Sequence, residues 1–198
     1  MVRLMAVAMS VLMLTGATKA PTPTDTPADL SYTADGQMKY PEHYREWIYL
    51  SSGLGMRYDP GAPLDHPNFD NVFVNPTAYK VFMATGIWPD KTVLVLEVRN
   101  SETKASIDQR GRSQSGLRGL EVHVRDESLP GKWGFFEFDP GQASTKMVPR
   151  PADCYSCHEQ HAAVDTTFVQ FYPTLIDTAK AKKTLSPEYL KELPLLKK

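Results

Sequence analysis

Apolar and polar residues alternate with period two over the middle of this chain. Leu120-Glu121-Val122-His123-Val124-Arg125 sets leucine and valine on one side and Glu121, His123 and Arg125 on the other. That pattern predicts a strand with one buried face. Thr92-Val93-Leu94-Val95-Leu96-Glu97-Val98 is β-branched and apolar between Asp90 and Asn100, a second strand. Asn71 to Asn75 is a short strand stopped by Pro76, and Trp133 to Phe138 an aromatic strand between Gly131 and Pro140. Helices are predicted at Pro41–Tyr49, at Thr77–Thr85 and near the C-terminus. There Phe168, Phe171, Leu175 and Ile176 recur at helical spacing, with Pro173 as a break. The sum is α+β: a mainly antiparallel sheet with flanking helices.

The N-terminus follows another rule. Met1-Val2-Arg3 is a short basic start, Leu4 to Leu14 is almost wholly apolar, and small residues follow up to Ala20. This reads as a secretory signal peptide over 1–20, too short for a membrane span. Residues 21–34, rich in Pro, Thr and Asp, read as a flexible lead-in. One domain is expected over 35–183, with a solvated tail over 184–198. The chain has 22 basic and 23 acidic residues, and losing Arg3 and Lys19 with the signal takes the net charge from −1 to −3. A mildly acidic protein of this kind argues against nucleic-acid binding.

The candidate chemistry is compressed into Cys154-Tyr155-Ser156-Cys157-His158. These residues spell C-x-x-C-H, the attachment signature of a c-type haem. Two thiols at this spacing each add to a porphyrin vinyl group, and His158 then lies under the iron as proximal ligand. No other cysteine exists in the chain. A disulfide at this spacing is geometrically awkward. A redox C-x-x-C expects a βαβ context, and zinc would need further ligands. Export agrees with haem attachment, which bacteria carry out beyond the cytoplasmic membrane, so the expected location is the periplasm. No methionine follows His158, and Met38, Met56, Met83 and Met147 all lie upstream. The usual arrangement of a small electron-transfer cytochrome is therefore absent.

From about Tyr40 to Lys180 the chain resembles the cytochrome P-460 family. The likeness rests on Pro41-Glu42-His43-Tyr44-Arg45-Glu46-Trp47, on Val72-Phe73-Val74-Asn75-Pro76 with Tyr79, on Thr85-Gly86, and on Thr92-Val93 with Glu97. It continues through Gly119-Leu120-Glu121, Gly131-Lys132-Trp133, Ala152-Asp153-Cys154, Cys157-His158 and Phe171-Tyr172-Pro173. The resemblance implies a mostly antiparallel fold, a homodimer, and one five-coordinate haem c. Founding members oxidise hydroxylamine, with a lysine cross-linked to the porphyrin, a nearby arginine and a distal carboxylate that moves protons. Carried over by position, the carboxylate is Glu121, the lysine site is Leu96 and the arginine site Asp70. A leucine cannot form the cross-link. The resemblance is thus to the branch called cytochrome c prime beta, whose apolar distal side favours nitric oxide and carbon monoxide.

The resulting assignment is Cys154, Cys157 and His158 for haem attachment and ligation, Leu96 and Phe73 as further cofactor contacts, and Glu121 as a distal catalytic carboxylate. The expected ligand is a small nitrogen species such as nitric oxide, with an electron-transfer partner and no nucleic acid. Hydroxylamine oxidation with Glu121 as base is one alternative. Electron transfer, with Met147 or a histidine as sixth ligand, is the other. His161 is expected at the surface, as is His123, although His123 shares strand parity with Glu121. Phe135, Phe136 and Trp133 are assigned to the core.

Overall fold

A computed structural model of the protein describes residues 30–57, 61, 66–104, 106–107 and 109–194. The signal peptide and most of the lead-in lie outside the described residues. Among the described residues seven strands and four α-helices follow in chain order. They are β1 (Met38–Lys39), β2 (Ile48–Leu54), β3 (Phe69–Val74), α1 (Pro76–Thr85), β4 (Val93–Glu102), β5 (Ser113–Arg125), β6 (Trp133–Phe138), β7 (Ser144–Thr145), α2 (Asp153–His161), α3 (Pro173–Lys182) and α4 (Pro187–Glu192). Strands β2 to β6 form one antiparallel sheet in sequence order, and β1 pairs with β7 separately. The α+β expectation holds.

Alternation divides the sheet into two unlike faces. Val93, Val95, Leu120, Val122, Val124, Phe136 and Phe138 point to one side, where Met38, Tyr44 and Trp47 cover them. Leu94 and Trp133 belong to the other side, with Phe82, Trp88, Leu175, Ala179 and Tyr189 from the helical layer. Pro76 opens α1 at a position whose N–H has no helical partner, and Gly86 ends it in the left-handed region at φ 76°. Trp88, fully buried, then packs on Phe82 at 4.2 Å and donates from Nε1 to Thr167 Oγ1 at 2.8 Å.

Three expectations are corrected. Pro41–Tyr49 is not a helix: only Tyr44–Glu46 makes a 3₁₀ turn, and β2 starts at Ile48. Pairing of Ile48 with Val74 and burial of Leu50 override the local spacing. Pro173 does not break the last long helix but begins it, with Phe168 and Phe171 lying before that start in and beside a 3₁₀ turn. The packed body also extends past both expected boundaries. Tyr32 bridges to Met38, and α4 buries Tyr189 in the core.

The close pairing of β5 with β6 gives a direct test. A Cβ added at Gly119 would sit 2.7 Å from the Phe138 carbonyl oxygen, a backbone atom that cannot yield without moving β6. Gly119→Ala should cost about 1–3 kcal/mol. Thermal melting should read this as roughly 2–4 °C per kcal/mol. An unchanged melting temperature would contradict the registered contact.

Candidate functional site

Helix α2 carries Cys154, Cys157 and His158, and buried Tyr155 anchors it. The Tyr155 hydroxyl donates to the Val148 carbonyl at 2.8 Å, its ring meets Phe135 edge-on at 4.9 Å, and the Arg150 guanidinium lies 4.1 Å from its centroid. Both thiols are free and half-buried, and burial pushes each above its ordinary pKa. His158 is packed among Phe168 at 4.1 Å, Phe135 at 4.7 Å and His123 at 5.0 Å. Its Nδ1 lies 2.7 Å from the Thr166 carbonyl oxygen. A carbonyl only accepts, so Nδ1 carries the proton and Nε2 keeps its lone pair. Burial holds the ring below its ordinary pKa, against the Thr166 bond, and so favours this neutral form.

A cavity of about 130 Å³ opens beside His158 and Cys154, walled by Val72, Leu94, Leu96, Phe135, Phe168 and Tyr172 with Glu121 and Glu137. A second of about 270 Å³ continues past Gly53, Met56, Asp70 and Phe171. Neither alone reaches the roughly 300–1,000 Å³ usual for a cofactor. They share Val72, Leu96, Glu121, Phe168 and Tyr172 as walls. This apolar trough has the Cys154 thiol and the His158 imidazole on its wall, with Cys157 on the same short helix but not lining either cavity, and it fits a flat apolar iron cofactor. A larger open trough of about 640 Å³ runs past Arg118, Glu121, Glu137 and Lys146. No histidine or cysteine lines it.

The sheet register builds the opposite wall. Val72 pairs with Leu96, Leu96 with Glu121, and Glu121 with Glu137, so the four form one row across β3 to β6. Asp70 follows on the same face of β3 and lines the second cavity. The three positions carried over from the resemblance, Asp70, Leu96 and Glu121, therefore converge on one space. Glu121 presents accessible surface because its side chain borders the cavities, yet dense protein around it desolvates the carboxylate. That burial, then the charges of Glu137 and Asp70, raise its pKa.

Phe73 is a correction. It lies on the opposite face, edge-on to Tyr44 at 5.6 Å and Tyr49 at 5.7 Å, and its neighbour Val72 takes the cavity position. Neighbours on a strand face opposite ways, so only one of the two could serve. His123 is not exposed: it is buried, stacks on Phe135 and joins the cavity wall. Its parity with Glu121 was the available signal. Phe135 also faces the site, whereas Phe136 belongs to the far core. Phe168 stood out only as part of a helical stripe and Tyr172 only as part of the Phe171-Tyr172-Pro173 likeness, yet both wall the cavity. Thr166 carried no signal in the sequence pattern. His161 is at the surface, bonded to Glu192, as expected. Met147 packs with the second core and borders only the open trough.

The raised Glu121 has a pH signature. Its folded pKa lies above the ordinary 4.5, so its stabilising effect is fully present below that value and is lost as pH rises through the folded pKa. Glu121→Gln should therefore gain more stability at pH 7 than at pH 4 in urea unfolding. An equal change at both pH values would contradict the assignment.

No curated protein matches the chain. The sequence model of Cytochrome P460 matches residues 41–169, which spans the sheet, the row from Val72 to Glu137 and helix α2. The chain therefore belongs to the cytochrome P460 family of haem proteins.

Proposed function

We propose that the protein is an exported mono-haem cytochrome that binds or redox-handles a small nitrogen species, nitric oxide being the first candidate, at a five-coordinate iron. Cys154 and Cys157 would hold haem covalently, each thiol adding S–H across one vinyl double bond, and the attachment would then be c-type. His158 supplies Nε2 as proximal ligand. Haem iron, when bound, supplies an open coordination position and one-electron redox chemistry. The protein's own residues do the rest. Val72, Leu94 and Leu96 exclude water, Phe168 and Phe135 fix the ring of His158, and Glu121 offers a proton-holding oxygen at the rim. The periplasmic location is supported by the N-terminal pattern, and a homodimer by the family resemblance.

The observation that carries this reading is Leu96, an apolar side chain in the middle of the row facing the His158 cavity. An apolar wall offers a neutral diatomic a dry site and no competing ligand. Hydroxylamine oxidation is the second reading, supported by Glu121. A carboxylate whose pKa is raised by burial is nearer to the working range of a general base. Among the described residues Met56 is the methionine that walls the second cavity, so it is the natural sixth ligand under the electron-transfer alternative.

Two experiments separate these readings. Denatured protein, from cells that mature c-type cytochromes, should keep haem mass covalently, and the double variant Cys154→Ala/Cys157→Ala should lose it. The ferrous form should change its absorption spectrum on adding nitric oxide or carbon monoxide. A low-spin spectrum indifferent to both gases, and abolished by Met56→Leu, would assign electron transfer instead.

Glu121 is tested in a second way. Glu121→Ala should leave or tighten binding of neutral diatomics. If hydroxylamine turnover exists, the same variant should lower it by about 10²–10⁴-fold. Turnover unaffected by the substitution would remove Glu121 from the chemistry.

A further inference from the structure

We infer that His123 is a positioning residue for His158, acting through Thr166: it holds in place the residue whose carbonyl orients the iron ligand. The inference rests on the reading of His158 as proximal ligand. Residues Val164 to Thr167 make a tight turn, closed by Thr167 N–H to the Val164 carbonyl at 2.8 Å and Val164 N–H to the Thr167 carbonyl at 3.3 Å. Asp165 within it adopts the left-handed region at φ 51°, which aspartate tolerates better than most residues. Three side chains grip this turn from outside. Trp88 donates to Thr167 Oγ1 at 2.8 Å, and Arg125 Nη1 reaches Asp165 Oδ2 at 3.4 Å. His123 Nε2 lies 3.2 Å from Thr166 Oγ1. Of the three, only His123 bonds the residue whose carbonyl accepts from His158 Nδ1.

His123 is itself rigid. It is 7 % exposed, its ring stacks on Phe135 at 4.1 Å with an 11° interplanar angle, and Trp133 packs against it at 4.5 Å. Two residues along β5, Arg125 lies on the same face, so one strand clamps two successive residues of the turn. A phenylalanine at 123 would fill the same space and hold nothing. Among the described residues no group of three or more histidine, cysteine, aspartate or glutamate side chains is placed to hold an ion. A fixed acceptor on Nδ1 strengthens Nε2 as a donor to metal, and loss of such partners typically changes metal affinity or activity about 10–100-fold. Loosening Thr166 should therefore weaken the iron–histidine bond and favour the reduced iron.

The test uses the haem-loaded protein with Thr166→Val, which keeps the carbonyl and removes the hydroxyl, and with His123→Phe and His123→Gln. In Thr166→Val and His123→Phe the ferrous iron–histidine stretch should fall in frequency. The reduction potential should rise, a tenfold change corresponding to about 59 mV for one electron. His123→Gln, which can still reach the hydroxyl, should restore part of both signals. Unchanged stretch and potential in folded, loaded Thr166→Val and His123→Phe would overturn the inference. In protein without haem, where iron does not hold Nε2, nitrogen NMR of the His158 ring reads its tautomer: loss of the Nδ1–H preference in Thr166→Val supports the clamp, and its persistence counts against it. Wild-type protein without haem mass would sink the ligand assignment alone, leaving the tautomer result to decide on the clamp.

Discussion

The antiparallel register of β3, β4, β5 and β6 is the constraint on which the site depends. It aligns Val72, Leu96, Glu121 and Glu137 in one row, so apolar wall and acidic rim are set by pairing and not by any local motif. A one-residue slip of any strand would turn its members to the opposite face. Leu96 would then leave the His158 cavity and Glu97 would enter it. The dense apolar packing of Val93, Val95, Leu120 and Val122 on the far side makes such a slip costly. The far core thereby holds the near site in place.

The sheet also tunes two carboxylates in opposite directions. Burial pulls Glu97 upward in pKa, but hydrogen bonds from Arg99, Tyr44 and Asn71 and the Arg99 charge outweigh it and hold the group below its ordinary value. Arg45 Nη2 and Arg99 Nε lie 2.5 and 2.6 Å from its oxygens. Glu97 is thus an ionised structural brace, 4 % exposed, on the face away from His158. Glu121, one strand over and on the other face, meets Glu137 and Asp70 where Glu97 meets arginines. Equal residue types on one sheet differ in chemistry because of what the register sets beside them.

Much of this was legible in the sequence because period-two alternation is a strong signal. Strand β5 and its buried face follow from it, β4 from its β-branched apolar run, and the pairing of Leu96 with Glu121 agrees with the positions carried over from the family resemblance. The family match over residues 41–169 agrees with the resemblance that Cys154, Cys157, His158 and the dispersed motifs carried. Strand β2 was lost because Pro41 to Tyr49 has helix-like local spacing while its pairing partner, β3, lies about twenty residues on. Phe73 falls on the far face because strand parity allows only one of Val72 and Phe73 on the site face, and the sequence alone does not say which. His123 and Thr166 were invisible as a pair, since their contact joins β5 to a turn 43 residues away. No periodicity encodes such a contact.

The central claim is spatial: the haem lies in the trough between His158 and the row of Val72, Leu96 and Glu121. Electron density of the haem-loaded protein tests it most directly. The account predicts iron bound to His158 Nε2, thioether density at Cys154 and Cys157, and the opposite face of the porphyrin turned toward Leu96 and Glu121. Iron held by Met56 as well, or a porphyrin seated against Phe73 and Glu97 on the far face, would contradict it.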